Sequence, residues 1–316
     1  MILSVVMPSY NKRDLLAQSL AALSRQELAV DWEIVVVDDG STDGTDTFLA
    51  TRSQELPQQL RVVRPDRNVG RAAARNLGVR MARGQWVLFL DDDIVAPQGL
   101  LSAHLHLLNR AERCGTIGCV HTAPELVDAP HFHYLDTRGV AKVKSEVVPA
   151  RYFVTQNAAV PRDALLAVSG FDERFSAYGL EDMDLAFRLE DQQGVTFLPV
   201  REPVPHHVHH HSLTQYLAKK RECGFGSLPL MAKIHPHRIM EMKLHWVIDP
   251  QGGPPPSVMV RMGRMLTRGV SAAALEQCVR HWPVREHCLP FWPSLYYRCM
   301  DALVLCAYHQ GLSQTS

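Results

Sequence analysis

The sequence has no excess of charge of either sign and no composition typical of disorder. Its 316 residues include 33 Lys and Arg and 33 Asp and Glu, so the formal net charge is zero. This balance argues against a surface covered in basic charge for duplex nucleic acid. Hydrophobic residues make up 46% and charged residues 21%, ordinary values for a folded chain that exclude wholesale disorder.

Disulfide and membrane signatures are also absent. The seven cysteines are odd in number and form no Cys-x-x-Cys pair, so we expect reduced thiols and a cytoplasmic protein. The apolar N-terminal stretch lacks a basic leader and a cleavage site, which predicts a strand rather than a signal peptide. The most apolar stretch, 295–312, contains Arg298, Asp301 and His309 and is too polar to span a bilayer. We therefore predict a soluble protein, or one peripheral to the inner face of a membrane.

Apolar runs alternate with helical patterns over the first hundred residues. Runs at 2–7, 32–37, 60–63 and 86–90 predict strands with helices between them. Further strand-like pieces lie at 116–121, 150–155 and 195–200, and helical patterns at 97–108, 164–168 and 180–191. The alternation predicts an α/β fold with a mostly parallel, Rossmann-like sheet flanked by helices.

The charge distribution and a linker divide the chain. Residues 212–316 contain twelve Lys and Arg against six Asp and Glu, and a Gly-Gly-Pro-Pro-Pro linker lies at 252–256. We predict a helical C-terminal region over 212–316, with two or three helices after residue 257. Its basic residues, which include 219–221 and Arg261, Arg264 and Arg268, would attract an anionic acceptor or a membrane surface. The alternative is a solvated helical face.

No glycine-rich phosphate loop follows the first strand, where the sequence is Pro-Ser-Tyr-Asn with neither GxGxxG nor GxxxxGK[ST]. Polar clusters instead lie at the ends of three predicted strands. They are Pro8–Asn11, Asp38–Asp39 and Asp91–Asp93. Parallel sheets bind ligands at this edge.

The Asp91-Asp92-Asp93 triplet is the strongest local signal. Three adjacent carboxylates repel one another, and Mg²⁺ or Mn²⁺ would relieve the repulsion while leaving positions open for phosphate oxygens. Strand alternation would place Asp91 and Asp93 on one side and Asp92 on the other. The alternative is a solvated acidic turn.

A second acidic pair, Glu181-Asp182, opens a predicted helix. The helix dipole favours the anion, so we expect an ionised carboxylate that could act as a general base. The alternative is that these acids only stabilise the helix.

These segments together resemble the family-2 glycosyltransferases, which have the A-type (GT-A) glycosyltransferase fold. The similar segments are Val5–Asn11, Val35–Thr45, Asn68–Gly70 with Ala74–Asn76, Phe89–Asp93, Gly170–Phe175 and Glu181–Leu185. The resemblance covers about residues 1–211. It implies a nucleotide-sugar half over 1–100 and an acceptor half over 101–211 within one 1–211 domain.

The resemblance also implies roles for individual residues. Pro8, Tyr10, Asn11 and Asp39 would bind the donor nucleotide, with Asp39 accepting from a ring N–H. Arg75 would lie near the nucleotide or its phosphates, and Asp92 would contact ribose or sugar. Asp93, with Asp91, would hold Mn²⁺ or Mg²⁺, and a histidine some way past the base, His209 slightly ahead of His207, would be a further ligand. The alternative for these histidines is a His-rich surface loop. Asp182 would be the base, with Glu181 and Asp184 binding the acceptor.

We therefore predict a metal-dependent inverting glycosyltransferase. It would use a nucleoside diphosphate sugar, a UDP-sugar first, and a saccharide, lipid-linked or small-molecule hydroxyl acceptor; no nucleic-acid partner is expected. A sugar-phosphate nucleotidyltransferase and a non-catalytic carbohydrate-binding protein remain alternatives. A retaining transferase would not need the Asp182 base, and a processive polysaccharide synthase would need membrane helices.

Overall fold

The computed structural model describes residues 1–56, 59–110, 113–126, 130–209, 211–249, 256–269, 272–282 and 292–314. The strands are β1 Leu3–Ser9, β2 Trp32–Asp38, β3 Leu60–Val63, β4 Trp86–Leu90, β5 Ile94–Val95, β6 Cys114–Gly118, β7 His121–Thr122, β8 Asn157–Pro161, β9 Thr196–Val200 and β10 His206–His207. The helices are α1 Arg13–Leu23, α2 Thr45–Glu55, α3 Arg71–Met81, α4 Leu100–Leu108, α5 Pro130–Asp136, α6 Arg162–Ala167, α7 Glu181–Gln193, α8 Leu213–Phe225, α9 Ser227–Ile234, α10 Val258–Gly269, α11 Ala272–Arg280 and α12 Trp292–Leu312.

A seven-stranded sheet with the order β3-β2-β1-β4-β8-β6-β9 forms the centre of the first unit. The pairs β1–β2, β1–β4, β2–β3 and β6–β9 are parallel, while β8 runs antiparallel to both β4 and β6. All five residues of β4 are buried, because a strand covered on both faces is apolar throughout rather than alternating. The predicted mostly parallel α/β sheet is confirmed.

Helix α1 covers one face of this sheet with the leucines whose spacing predicted it. Leu16, Leu20 and Leu23 join a buried cluster with Val5 and Met7 of β1. Burying a side chain of this size contributes roughly 1.5–3 kcal/mol. This packing holds the carboxyl end of β1 in place and with it the loop that leads into α1.

A small three-stranded sheet, ordered β5-β10-β7, lies at the end of the acidic triplet. Strand β10 pairs antiparallel to β5, with His207 opposite Ile94, and the Val208 N–H donates to the Asp93 carbonyl at 2.9 Å. This pairing brings His207 beside the triplet, more than a hundred residues away in sequence.

Residues 150–155 do not form the predicted strand. Ala150–Tyr152 is a 3₁₀ turn after Pro149, and the strand begins at Asn157. Phe153 is buried and packs against Phe197 with ring centroids 5.3 Å apart. The apolar residues that suggested a strand therefore belong to a turn whose side chains pack into the core.

The described residues fall into two compact units. The first comprises 1–126, 136–174 and 181–209, and the second comprises 130–135, 175–180 and the described residues from 211 onward. A predicted domain boundary after residue 211 stays a prediction. In the second unit, Leu213 and Leu217 of α8 form a buried cluster with Met300, Leu303 and Ala307 of α12. In the part of the chain that the structure describes, three helices follow residue 257, and no helix is long and apolar enough to cross a membrane.

Candidate active site

The loops after β1 and β2 are bonded to each other. Asn11 has a φ of 52°, a left-handed conformation that Asn tolerates better than most residues. Its Oδ1 accepts from the Thr42 N–H at 2.7 Å, and its N–H donates to Ser41 Oγ at 2.9 Å. Asn11 therefore holds two predicted donor loops together. Beside it, Tyr10 is 49% exposed, while Pro8 is half-buried.

Asp39 anchors the start of α3. Its two carboxylate oxygens accept from the N–H groups of Val69 and Gly70 at 2.7 and 3.0 Å. Asn68 Nδ2 also donates to the Asp39 carbonyl at 3.0 Å. Each carboxylate oxygen has two acceptor positions, so these bonds leave capacity for the predicted ring N–H.

The acidic triplet forms a turn rather than extended strand. Lys12 Nζ lies 3.0 Å from Asp92 Oδ1 and 2.6 Å from Asp93 Oδ2, while Asp91 Oδ1 contacts Arg75 Nη2 at 3.1 Å. The expected alternation is therefore wrong, because β4 ends at Leu90 and the next three residues leave the pleat. Asp92 and Asp93 share one cation, and Asp91 uses another.

Burial and neighbouring charges shift the pKa values of these groups in opposite directions. Burial raises the pKa of Asp92 to about 6, although Lys12 opposes the shift. Burial also acts to raise the pKa of Asp93, but the His207 hydrogen bond and charge and Lys12 together lower it well below its usual range. Burial acts to lower the pKa of Lys12, and the two carboxylates outweigh it and raise that pKa. Asp93 is therefore the firmly ionised member of the pair.

One pair of atoms at this edge suits a metal ion. His207 Nε2 lies 3.0 Å from Asp93 Oδ1, and among the described residues this buried oxygen has no other hydrogen-bond partner. Adjacent ligands of an octahedral ion with bonds of about 2.1 Å lie about 3 Å apart. Asp93 and His207 therefore fit as two neighbouring ligands, whereas Asp91 is directed at Arg75. Among the described residues, no group of three or more His, Cys, Asp and Glu side chains is arranged for a metal.

Arg75 connects the triplet to the start of α7. Besides Asp91, its guanidinium faces Glu181, with Nη1 3.6 Å from Oε1, and lies 5.8 Å from the Phe171 ring centroid. Burial acts to lower the pKa of Arg75, but Asp182, Asp91 and Glu181 raise it. Burial and the charge of Asp182 raise the pKa of Glu181 to about 7, although Arg75 opposes them. A single buried cation thus joins the two acidic motifs.

Thr155 holds the Asp182 carboxylate in place. Thr155 Oγ1 donates to Asp182 Oδ1 at 3.0 Å, and the Thr155 N–H lies 3.3 Å from Oδ2. Burial raises the pKa of Asp182, while Arg75 and the Thr155 bonds oppose the rise. The expectation from the helix dipole therefore left out burial, which acts to raise this pKa. A base with a raised pKa is better matched to proton transfer near neutral pH.

The remaining predicted residues have partners within the fold. Asp184 is 1% exposed and accepts from Arg188 at 2.6 Å. Asn76 Oδ1 accepts from the Phe171 N–H at 2.7 Å, and a Cβ on Gly170, where φ is 67°, would lie 2.3 Å from that oxygen. The Gly-Phe-Asp-Glu motif therefore needs glycine to place Phe171 beside Arg75.

Lys12 and Thr155 lie at the candidate site, and the sequence reasoning missed both. Lys12 follows Pro-Ser-Tyr-Asn at a strand's carboxyl edge, so the rule that identified the loop could have included it. Thr155 sits 27 residues before Asp182 with no local pattern to mark it.

Solved glycosyltransferase structures share this fold over nearly the whole chain. The mannosyltransferase PcManGT from Pyrobaculum calidifontis, in complex with GDP-Man and Mn²⁺, has a TM-score of 0.62 at 20% identity, covering 99% of this chain and 88% of that one. S. aureus TarS 1–349 in complex with UDP-GlcNAc has a TM-score of 0.53 at 16% identity, covering 99% and 91%. The predicted GT-A fold is confirmed.

The sequence comparisons assign the family. The profile of glycosyl transferase family 2 matches residues 4–166, more than half of the chain, and the chain belongs to this family. The uncharacterized glycosyltransferase YfnE of Bacillus subtilis (strain 168) is 28% identical over 258 residues, which is 66% of this chain and 65% of YfnE. The validoxylamine A glucosyltransferase of Streptomyces hygroscopicus subsp. jinggangensis is 32% identical over 219 residues, 60% of this chain. The match spans only 51% of that enzyme, so less than two thirds of either relative is covered.

Proposed function

We propose that this chain is a metal-dependent, inverting glycosyltransferase that moves a sugar from a nucleoside diphosphate sugar to a hydroxyl acceptor. The observation that carries the proposal is the position of Arg75, which contacts Asp91 at 3.1 Å and faces Glu181 at 3.6 Å. The triplet assigned to the donor and the pair assigned to the acceptor therefore flank one side chain. A donor and an acceptor bound at these two motifs would meet.

The donor nucleotide is assigned to the loops after β1 and β2. The exposed Tyr10 ring offers a face for stacking, and Asp39 keeps acceptor positions for a base N–H. Fold neighbours are solved with GDP-Man and with UDP-GlcNAc, which supports a nucleoside diphosphate sugar as the donor class. We place UDP-sugars first, with GDP and TDP sugars next.

The metal is assigned to Asp93 and His207, with Asp91 and His209 as further candidates. Mixed carboxylate and imidazole ligands suit Mn²⁺, while Mg²⁺ prefers oxygen. A divalent ion there would supply positive charge to the departing diphosphate. The contact between His207 and Asp93 supports His207 ahead of His209.

Asp182 is assigned as the base that takes the acceptor hydroxyl proton. Thr155 contacts both of its oxygens and so fixes the direction in which the carboxylate points. One base driving one displacement inverts the anomeric centre. Glu181 would complete the acceptor side, whereas Asp184 has a structural partner in Arg188. The basic residues of 212–316 would favour an anionic acceptor.

Donor hydrolysis and transfer test the proposal. UDP-glucose, UDP-N-acetylglucosamine and GDP-mannose would be incubated with the protein in Mn²⁺ or in EDTA, and released nucleotide measured. We expect turnover of one donor class in Mn²⁺ and its loss in EDTA. A transfer product, that is a glycoside, with the donor's anomeric configuration would refute inversion. Equal turnover in EDTA would refute the metal requirement.

A further inference from the structure

A single ammonium group bridges two consecutive carboxylates of the triplet. Lys12 Nζ lies 3.0 Å from Asp92 Oδ1 and 2.6 Å from Asp93 Oδ2. These carboxylates are 5% and 4% exposed, so water screens the pair weakly. Lys12 is also the N-cap residue of α1, and this holds its backbone close to the triplet.

Cationic side chains of the protein itself compensate the negative charge of the acidic triplet. Lys12 faces the carboxylates of Asp92 and Asp93, and Arg75 faces that of Asp91. The repulsion between adjacent carboxylates, which suggested a metal from the sequence, is therefore relieved without one. A metal ion would have to compete with a cation that is already covalently tethered to the site.

The competition centres on Asp93. Lys12 contacts its Oδ2, and His207 Nε2 lies beside its Oδ1. A divalent ion bound to Asp93 and His207 would sit next to the ammonium group, and like charges in a buried site repel strongly. A divalent ion at Oδ1 would therefore weaken the contact of Lys12 with Oδ2.

We propose that Lys12 is an internal counter-cation that a divalent metal must displace from Asp93. The inference rests on the proposed metal site. The proposal predicts that Lys12 lowers the affinity for metal when no nucleotide sugar is bound. Removing the ammonium group should therefore strengthen metal binding, even though Lys12 is not a metal ligand.

Mn²⁺ binding without nucleotide tests this directly. Free Mn²⁺ would be followed by electron paramagnetic resonance in titrations of wild type, Lys12→Met, Lys12→Arg and Arg13→Met. Arg13 is the neighbouring cation, half exposed and paired with Asp14, so it controls for the loss of one positive charge. We expect Lys12→Met to bind Mn²⁺ about tenfold or more tightly than wild type, since a charge-assisted contact no longer has to break. Arg13→Met and Lys12→Arg should stay close to wild type. Unchanged or weaker binding by Lys12→Met would overturn the proposal.

A measurement on wild type keeps the test valid if Lys12→Met does not fold. Lys12 acetylation by acetic anhydride, followed by peptide mass spectrometry, should rise when Mn²⁺ is added, while the exposed Lys144 serves as the internal control. Unchanged Lys12 labelling with Mn²⁺ bound would overturn the displacement. If Mn²⁺ binds neither protein, with or without UDP, the metal requirement itself fails and the displacement with it. If wild type binds Mn²⁺ with UDP but Lys12→Met shows no gain, only the displacement fails.

Discussion

Replacing Asp182 by Asn is the sharpest test of the proposed base. The amide keeps the size of the carboxylate but cannot accept the acceptor's proton. Loss of a general base typically lowers the rate by about 10²–10⁴-fold, which corresponds to roughly 3–5 kcal/mol of barrier. We expect transfer to fall by that factor with little change in donor affinity.

The structure indicates that the variant will fold. Thr155 contacts both Asp182 oxygens, at 3.0 and 3.3 Å. In the variant, the amide oxygen can accept from the Thr155 N–H, and the amide nitrogen can donate to Thr155 Oγ1. Arg75 keeps Asp91 and Glu181 as partners, so no buried cation is left unpaired. Asp182 raises the pKa of Glu181, and the substitution should therefore lower it.

Asp163→Asn is the matched control, because Asp163 also lies in the first turn of a helix but its side chain is 71% exposed. Thr155→Val distinguishes the orientation of the base from its ability to accept a proton. It keeps the Asp182 carboxylate and removes one hydrogen-bond donor to it. That donor lowers the pKa of Asp182, so the rising limb of the kcat/KM profile should move to higher pH, with kcat reduced about tenfold.

The assay is transfer with wild type and the three variants over a pH series, together with the anomeric proton coupling of the product. Near-normal turnover by Asp182→Asn would remove Asp182 from the base role. A retained anomeric configuration would refute the single displacement, whatever the effect of the substitution. An equal loss in Asp163→Asn would show that the effect is on the fold.

Three further predictions concern the metal edge and the core. Asp93→Ala should abolish the Mn²⁺-dependent part of UDP affinity while the circular dichroism spectrum stays that of the wild type; unchanged affinity by calorimetry would contradict the ligand assignment. His207→Ala should weaken Mn²⁺ binding about tenfold or more, with smaller effects for His209→Ala and least for His206→Ala; equal small effects at all three would support a surface loop. Buried His104 bonds Thr116 and Asn157, and burial lowers its pKa from 6.5 to about 4. Because the unfolded chain binds this proton first, stability should fall by on the order of 3 kcal/mol as the pH drops from 6.5 to 4. Urea midpoints of wild type and His104→Gln over that range measure this, and parallel curves would refute it.

Local patterns in the sequence were sufficient to predict the four strands of the first hundred residues and the position of the candidate site. The four apolar runs of the first hundred residues predicted strands because a sheet covered on both faces needs continuous apolar residues. The acidic triplet and the loop at Pro8–Asn11 follow two of these strands, so the site could be placed at the carboxyl edge. The motifs also indicated the family, since their order and spacing lie within a contiguous stretch of chain.

Only the tertiary structure decided which charges meet. Lys12 and Asp93 are 81 residues apart, and Thr155 and Asp182 are 27 apart; no local period relates such positions. Strand β10 brings His207 to Asp93 through pairing with β5, which no pattern in the histidine-rich segment could show. Burial likewise depends on the packed fold. It raises the pKa of Asp182, where the helix end alone predicted an ionised carboxylate.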